Sequence, residues 1–572
     1  MSTNRFSGIG QRLRKISQRL LRRKTTEPAL TVGKYLGKYL ILFSFCFILA
    51  VGCNSQNQSD TKPIDSNRIS VGTTLKPRTL DPADSYEIAG LNILYNVAES
   101  LYTYEVGTTN IKPLLATAMP VIDEAGLIYT IPLRTGVTFH DGAVFNAKAM
   151  AFSLQRFIEN GGKPAFLLGD VIKSVEATGE YELKITLKQP FAAFPALLAF
   201  PGACAVSPQA YKIGAGEFNP NKLVGTGRYK LSQFKSDSIS LDRNPNYWGE
   251  APANQGINLQ VYGGNSANLF NSFETKAVDV AYQSLDPQQI ESLLEKKTEH
   301  QAIEGSGTVV NYLVLNLQQE PLNQPEVRQA IAASINRGLI NERVLKGQAE
   351  TIYSLVPTAF AAYEPTFKKL YGEANTAKAQ ELLTKAGYSA QNPAIVEIWH
   401  PSGSITRGIV AETIKAYGSS ELGGIVQFVP QSVESASFFS NLSQGIYPAA
   451  LVDWYPDFLD PDNYLQPFLS CSQGSAKTGC KSGAAQSRGS FYYSDRANQL
   501  IEQSRQEQDV AKRQAILVQL QEVMSQDVPY IPLWQTKDYA FAQNDINGVV
   551  INPSQTFPFW TIKRSVAMNN EQ

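Results

Sequence analysis

Apolar positions along this chain change between a period of two and a period near 3.6, and the changes mark its elements. ISVGTT, from Ile69 to Thr74, predicts a strand; Pro77 and Asp81-Pro82 punctuate a loop, and Leu91, Leu94, Tyr95, Ala98 and Leu101 then fall at helical spacing. Asp141-Gly142 supplies a tight turn after a strand beginning at Tyr129, and Asn146 is placed to cap a helix whose Met150, Leu154, Phe157 and Ile158 share one face. VIKSVEATGEYELKITL reads as a hairpin turning near Gly179. VVNYLVLNL is a buried strand, followed by one helix over PEVRQAIAASINRGLINERVL with Pro325 in its first turn and Val327, Ile331 and Ser334 aligned. NTAKAQELLTKAGY is a further helix, capped by Asn375 and ended near Gly387. The strands VEIWHPSG and IVQFVPQS lie either side of a helix in SITRGIVAETIKAYG, an order that favours a parallel sheet. Two more helices occupy SDRANQLIEQSRQEQDVAKRQAILVQLQEVMSQ, the later aligning Ile516, Leu520, Val523 and Met524, and VPYIPLWQTKDYAFAQNDINGVVI closes the chain as strands. The class is α/β.

The stretch from Leu451 to Cys480 interrupts these periods. Leu451 and Val452 end a strand, and Pro456 and Pro461 prevent its continuation as helix or central strand. Asp453, Asp457, Asp460 and Asp462 then stand within ten residues, among Trp454, Tyr455, Phe458 and Tyr464. Carboxylates beside aromatic faces suit a cationic, partly apolar ligand. Asp-Pro-Asp-Asn is equally the chemistry of an ordinary turn, in which Asx side chains bond their own backbone. The residues alone leave both readings open.

Charge is concentrated at the start of the chain. The first 52 residues hold ten of the 51 basic side chains and one of the 51 acids, so the remainder carries 41 basic against 50 acidic groups. An acidic body argues against a nucleic-acid partner, which needs a basic face. The basic start leads into the apolar run Tyr39–Ala50, about 12 residues long and short of the roughly 20 needed to span a bilayer. Small residues then precede Cys53, which is similar to a bacterial lipoprotein signal with Cys53 as the lipidated residue; an uncleaved membrane anchor is the alternative. Residues 54–67 contain one apolar side chain, Ile64, and read as a flexible tether. What remains is too long for one hydrophobic core and implies two or three lobes.

Catalytic and metal patterns are few. His140, His300 and His400 are far apart, without metal-ligand spacing, and His400 alone adjoins a suspected cleft strand. Neither a nucleophile elbow nor a phosphate loop occurs, and Gly225-Thr226-Gly227 lacks the third glycine and the strand–helix setting of a dinucleotide loop. Paired acids such as Asp460 and Asp462 are what a sugar hydrolase would rest on. Cys204 reads as a small buried hydrophobe.

W-x-x-D-x-x-D-P-D-N-[FY], followed by a cysteine pair, resembles the bacterial family 5 extracellular solute-binding proteins, the dipeptide- and oligopeptide-binding group. The F-H-D-G turn, G-T-G-x-Y, N-P-x-Y-W-G and V-R-Q-A segments extend the likeness over about residues 69–564. The resemblance implies a two-lobed periplasmic-binding-protein fold of type II with the extra subdomain of the peptide-binding group. Its parts would be a lipoprotein signal peptide over 1–52, the tether 53–67, a first part of lobe I over 68–105, the extra subdomain over 106–222, a second part of lobe I over 223–308, lobe II over 309–533 and a return to lobe I over 534–572. By the same likeness Asp457 pairs with a ligand α-amino group, Trp454, Tyr455 and Trp399 line the pocket, and Arg407 holds a ligand carboxylate. Pro456 stands where the family has a small residue, so the wall differs there. Some relatives join the cysteines of this loop, and a Cys471–Cys480 disulfide would close a ten-residue stretch, worth roughly 2–3 kcal/mol in the chain-entropy model. The implied protein is a monomeric, lipid-anchored, non-enzymatic binding component of an ABC importer, on the periplasmic side of the membrane or at the cell surface. It carries short peptides, without cofactor or bound metal, to membrane permease subunits driven indirectly by a cytoplasmic ATPase. A nickel-complex or haem carrier of the same family, and a ligand sensor that feeds no transport, are the alternatives.

Overall fold

The structure, a computed structural model, describes residues 67–283 and 285–565. The signal segment 1–52, Cys53 and all but the last residue of the tether lie outside them.

In chain order, β1 (Arg68–Thr73) leads through a buried loop to α1 (Ile88–Val97). The helix stops at Val97, so Ala98 is its cap and Leu101 lies beyond it, short of the longer helix that the spacing predicts. β2 (Ile128–Pro132), α2 (Ala147–Glu159), β3 (Ile172–Gly179) and β4 (Glu182–Leu187) follow. Asn146 accepts the Ala149 amide at 3.1 Å and starts α2. β2 to β4 join Val121–Ile122 in a four-stranded antiparallel sheet, the body of the extra subdomain.

β5 (Tyr229–Phe234), β6 (Ser238–Arg243), β7 (Gly256–Val261) and β8 (Val280–Tyr282) return to the sheet that β1 began, and β9 (His300–Leu315) leaves it. Past β9 come α3 (Pro325–Ser334) and α4 (Arg337–Arg343), in place of a single helix. Ile335 is extended, and Asn336 caps α4 by accepting the Leu339 amide at 2.8 Å. α5 (Thr376–Lys385) precedes β10 (Ala394–Pro401), α6 (Ile405–Glu421) and β11 (Val426–Val433), a strand–helix–strand unit whose strands pair in parallel. β12 (Ala449–Trp454), α7 (Asp495–Gln506), α8 (Val510–Asp527) and β13 (Tyr530–Gln543) complete the frame.

Among the described residues eleven strands form one mixed sheet, with path β11-β10-β12-β9-β13-β8-β1-β7-β6-β5 and the short strand Ala349–Thr351 added beside β13. The two ends of this path are the sheets of the two lobes. β9 and β13 join them: His300–Ser306 pairs with Lys537–Gln543 in lobe I, and Val310–Val314 with Tyr530–Gln535 in lobe II. The register breaks between Ser306 and Val310, and the crossing bends there.

Two large clusters make up most of the core. Ile69, Val71, Ile93, Leu94, Leu241, Ile257 and Ala540 pack in lobe I, whereas the larger core runs from Tyr129, Phe157 and Leu183 of the extra subdomain to Leu313, Val396, Leu451 and Leu520 of lobe II. Gly225-Thr226-Gly227 lies against the end of α1: a Cβ on Gly227 would stand 2.6 Å from the Val97 carbonyl carbon. Close backbone approach is therefore what these glycines serve, and His140 Nε2 donates to the Gly227 carbonyl at 3.0 Å. Burial lowers the His140 pKa to about 4, keeping the ring neutral.

Candidate functional site

The loop after β12 is held at both ends by one side chain. Asn463 Oδ1 accepts the Trp454 indole N–H at 3.3 Å and the Asp457 amide at 3.0 Å. Asp460 accepts the Asp462 amide at 2.8 Å and opens a one-turn 3-10 helix, Pro461–Tyr464. Turn chemistry thus explains Asp460.

Ion pairs then divide the four acids. Arg513 of α8 makes two bonds to Asp460, at 2.9 and 2.6 Å, and Arg505 of α7 makes two to Asp462, at 2.9 and 2.7 Å. Arg407 of α6 meets Asp453 at 2.6 Å. Asp460 and Asp462 are therefore committed to arginines, and neither borders the cavity that Asp457 lines; the pair on which a hydrolase could rest is structural. Asp457 is in no ion pair among the described residues. Its Oδ1 accepts the hydroxyl of Tyr86, which lies just before α1 in lobe I. Burial holds the Asp457 carboxyl above the usual carboxylate range, with Tyr86 and the Arg488 charge pulling against it.

Tyr86 is positioned by a buried charge pair. Asp81 and Arg156 are both essentially solvent-free and joined by two bonds of 2.7 Å, while Asp81 also accepts the Ala83 and Asn219 amides. The pair clamps the loop before α1 onto α2 of the extra subdomain.

Asp457 and Tyr455 line a cavity of about 230 Å³ between the lobes, with Tyr86, Ile88, Leu91 and Tyr95 on one side and Phe458 and Leu459 on the other. Tyr104, Phe200 and Gln555 also border it. A second cavity of about 310 Å³ shares Ile88, Tyr455 and Gln555 with the first and extends to Gln283, Val309 and Asp538. The arrangement is a mostly apolar space with a few polar groups, of the kind that ligand sites use.

The other expected site residues are placed differently. Trp454 lies buried beneath the loop with the Arg488 guanidinium 4.2 Å over its ring. Trp399 stacks on Tyr447 at 4.8 Å and donates to Glu397 at 3.0 Å; neither it nor Arg407 borders either cavity. The three histidines also lie outside both linings, and among the described residues no cluster of His, Cys, Asp and Glu could hold a metal. Cys471 and Cys480 form a disulfide with their Cα atoms 5.6 Å apart, and Cys204 is buried with its thiol pKa pushed up to about 12. Tyr86 and Asp538 were not legible as site residues. Tyr86 follows the Leu80-Asp81-Pro82 turn, and Asp538 is one of four polar residues, Gln535 to Asp538, interrupting an apolar strand; that interruption is the available signal.

Two sheets joined by a bent pair of crossing strands, with a cavity between them, define a two-lobed periplasmic binding protein of the peptide-binding group. Residues 110–476 match the family described as bacterial extracellular solute-binding proteins, family 5 Middle, and the chain belongs to this family. It is 26% identical over 508 residues to the probable D,D-dipeptide-binding periplasmic protein DdpA of Escherichia coli, covering 86% of this chain and 92% of that one. Di/tripeptide-binding protein 2 of Pseudomonas aeruginosa is 25% identical over 555 residues, covering 90% and 97%. HbpA2 from Haemophilus parasuis superposes with a TM-score of 0.77 at 24% identity, over 87% of this chain and all of that one.

Proposed function

We propose that this chain is the substrate-binding component of an ABC importer, capturing short peptides between its lobes and delivering them to a membrane permease. One observation carries the reading: of four clustered acids, Asp457 alone is free of an ion pair among the described residues, and it borders the cavity between the lobes. A half-buried carboxylate short of a cation is matched by a peptide α-ammonium, which forms a charge-assisted bond. The names of the E. coli and P. aeruginosa relatives agree in ligand class. Trp454 and Tyr455 support the wall. Arg407, paired with Asp453, could hold a ligand carboxylate only through guanidinium N–H groups left free by that pair. Cys53 anchors the protein by lipid outside the cytoplasmic membrane, and the chain acts without enzymatic activity.

Native mass spectrometry of residues 54–572 with mixed short peptides tests this function. A spread of peptide masses is expected; a nickel complex or haem as sole ligand would overturn it. Asp457→Ala should weaken peptide binding by at least about 2 kcal/mol, roughly 30-fold, since a buried ammonium loses its partner. Calorimetric titration giving an unchanged Kd removes Asp457 from the site.

A further inference from the structure

The second cavity holds a carboxylate that the fold leaves without a partner. Asp538 sits on β13 opposite Gly305, one residue from Lys537, where the lobe I pairing ends and the crossing bends. Its Oδ2 is shielded from solvent and accepts no hydrogen bond among the described residues. Its Oδ1 has one contact, the Thr536 hydroxyl at 3.5 Å, at the outer limit of such a bond. A carboxylate has about four acceptor positions, so most of the capacity of this one is unused.

The neighbouring charges do not satisfy it. Lys537, the adjacent residue, turns to Glu304 at 2.8 Å, and Glu304 also accepts the Tyr539 hydroxyl. Tyr282 and Tyr455 are the other titratable groups near enough to feel Asp538. Among the described residues no lysine, arginine or histidine pairs with it. Gly307, on the opposite crossing strand, leaves room for the carboxylate: a Cβ there would stand 3.1 Å from Oδ2. The acid is thus packed into the hinge of the cleft wall, an expensive place for a charge without a counter-charge.

We infer that Asp538 is a second cation-binding group of the cleft, taking the ammonium or guanidinium of a lysine or arginine side chain of the bound peptide. The inference rests on the peptide-binding reading. The cavity bordered by Asp457 and the one bordered by Asp538 meet at Ile88, Tyr455 and Gln555, so one ligand can occupy both, with its amino end at Asp457 and a basic side chain reaching Asp538. The ligands preferred are therefore short peptides carrying two positive groups.

Calorimetric titration of the unaltered protein with Ala-Lys, Ala-Lys acetylated on Nε, Ala-Ala-Lys and its acetylated form tests this. Each pair differs in side-chain charge while keeping the α-amino group. At least about a tenfold preference for the charged form in one pair is expected, since a desolvated charge pair is at stake. In Asp538→Asn the preference should collapse to within about threefold, with melting temperature reporting that the variant is folded. If the peptides bind but acetylation changes nothing, the inference fails and the peptide-binding reading stands. If a preference exists and survives in folded Asp538→Asn, another acid supplies it and the inference again fails. If none of these peptides, nor a mixed peptide pool, binds, the peptide reading itself falls and takes the inference with it.

Discussion

Replacing Arg513 by methionine tests whether the arginines behind the loop hold Asp457 in position. Arg513 spans from α8 to Asp460 by two bonds and also donates from Nε to the Ser504 carbonyl at 3.0 Å. The side chains of Arg513 and Asp460 keep 14% and 12% of their surface exposed, so water compensates little when one partner is removed. Methionine fills much of the arginine stem but leaves Asp460 with the Asp462 amide as its remaining donor. Breaking a buried pair by removing one partner costs about 3–5 kcal/mol, and the residual exposure puts this case near 3 kcal/mol. The cost should appear locally, because Asp457, Leu459, Asp462 and Asn463 amides bond within the loop or to Tyr104. Hydrogen exchange of those amides should quicken by on the order of a hundredfold. Asp460→Asn with Arg513→Met removes both charges, keeps an acceptor for the Asp462 amide, and should recover most of the protection. Unchanged exchange in Arg513→Met would refute the bracing role. Equal loss in the single and double variants would refute the electrostatic explanation.

Three further outcomes follow from other sites. Burial pushes the Asp538 carboxyl up to about 6 from an ordinary value of 3.8, so the folded protein binds that proton more tightly than the unfolded chain. The sign is fixed by linkage: the contribution is fully present below pH ~4 and is lost as pH rises to ~6, up to roughly 3 kcal/mol. Melting of the unaltered protein relative to Asp538→Asn should therefore worsen from pH 4 to 7, and parallel profiles would contradict it. Gly227→Ala drives a methyl against the Val97 backbone, which cannot move aside as a side chain can, and should cost about 2 kcal/mol or more by thermal melting. Cys471→Ser with Cys480→Ser should cost about 2–3 kcal/mol and make melting insensitive to reductant, whereas the unaltered protein should melt lower when reduced.

The elements were legible where periodicity and punctuation agreed. Asn146 and Asn375 cap the helices they precede, and β10 and β11 flank α6 in parallel as the strand–helix–strand pattern implies. Between Ser334 and Asn336 the pattern continues through a break, because Asn336 can sit mid-helix or cap, and tertiary packing chose the cap. The acids show the larger limit. Asp453, Asp457, Asp460 and Asp462 look alike in the chain, since turn, aromatic and charge signals are shared by all four. Their difference lies in Arg505 and Arg513, 43 and 53 residues from the acids they hold, and in Arg407 on another element. Only the family likeness singled out Asp457, by its place three residues after Trp454. Asp538 carried no such signal, because one acid in a strand looks like a solvent-facing position until the crossing buries it.

Tyr86 and Asp457 lie 371 residues apart, and the bond between them ties one lobe to the other through protein atoms alone. On the peptide-binding reading this contact sets what a ligand must do. A molecule that merely filled the apolar cavity would gain area on closing, but would contribute nothing at the carboxylate where the lobes meet. An α-ammonium exchanges a neutral hydroxyl donor for a charged one, and charge-assisted bonds are roughly twice as strong. The gain counts toward closure where the ligand also touches Tyr86, since the bond to Asp457 alone is made within one lobe and only differential contacts shift the balance of states. A difference on the order of 1–2 kcal/mol, or about 5- to 30-fold in favour of closure, is the consequence. Capture and closure are in this way tied to one positive charge on the ligand, while the apolar walls that surround it remain tolerant of side-chain shape.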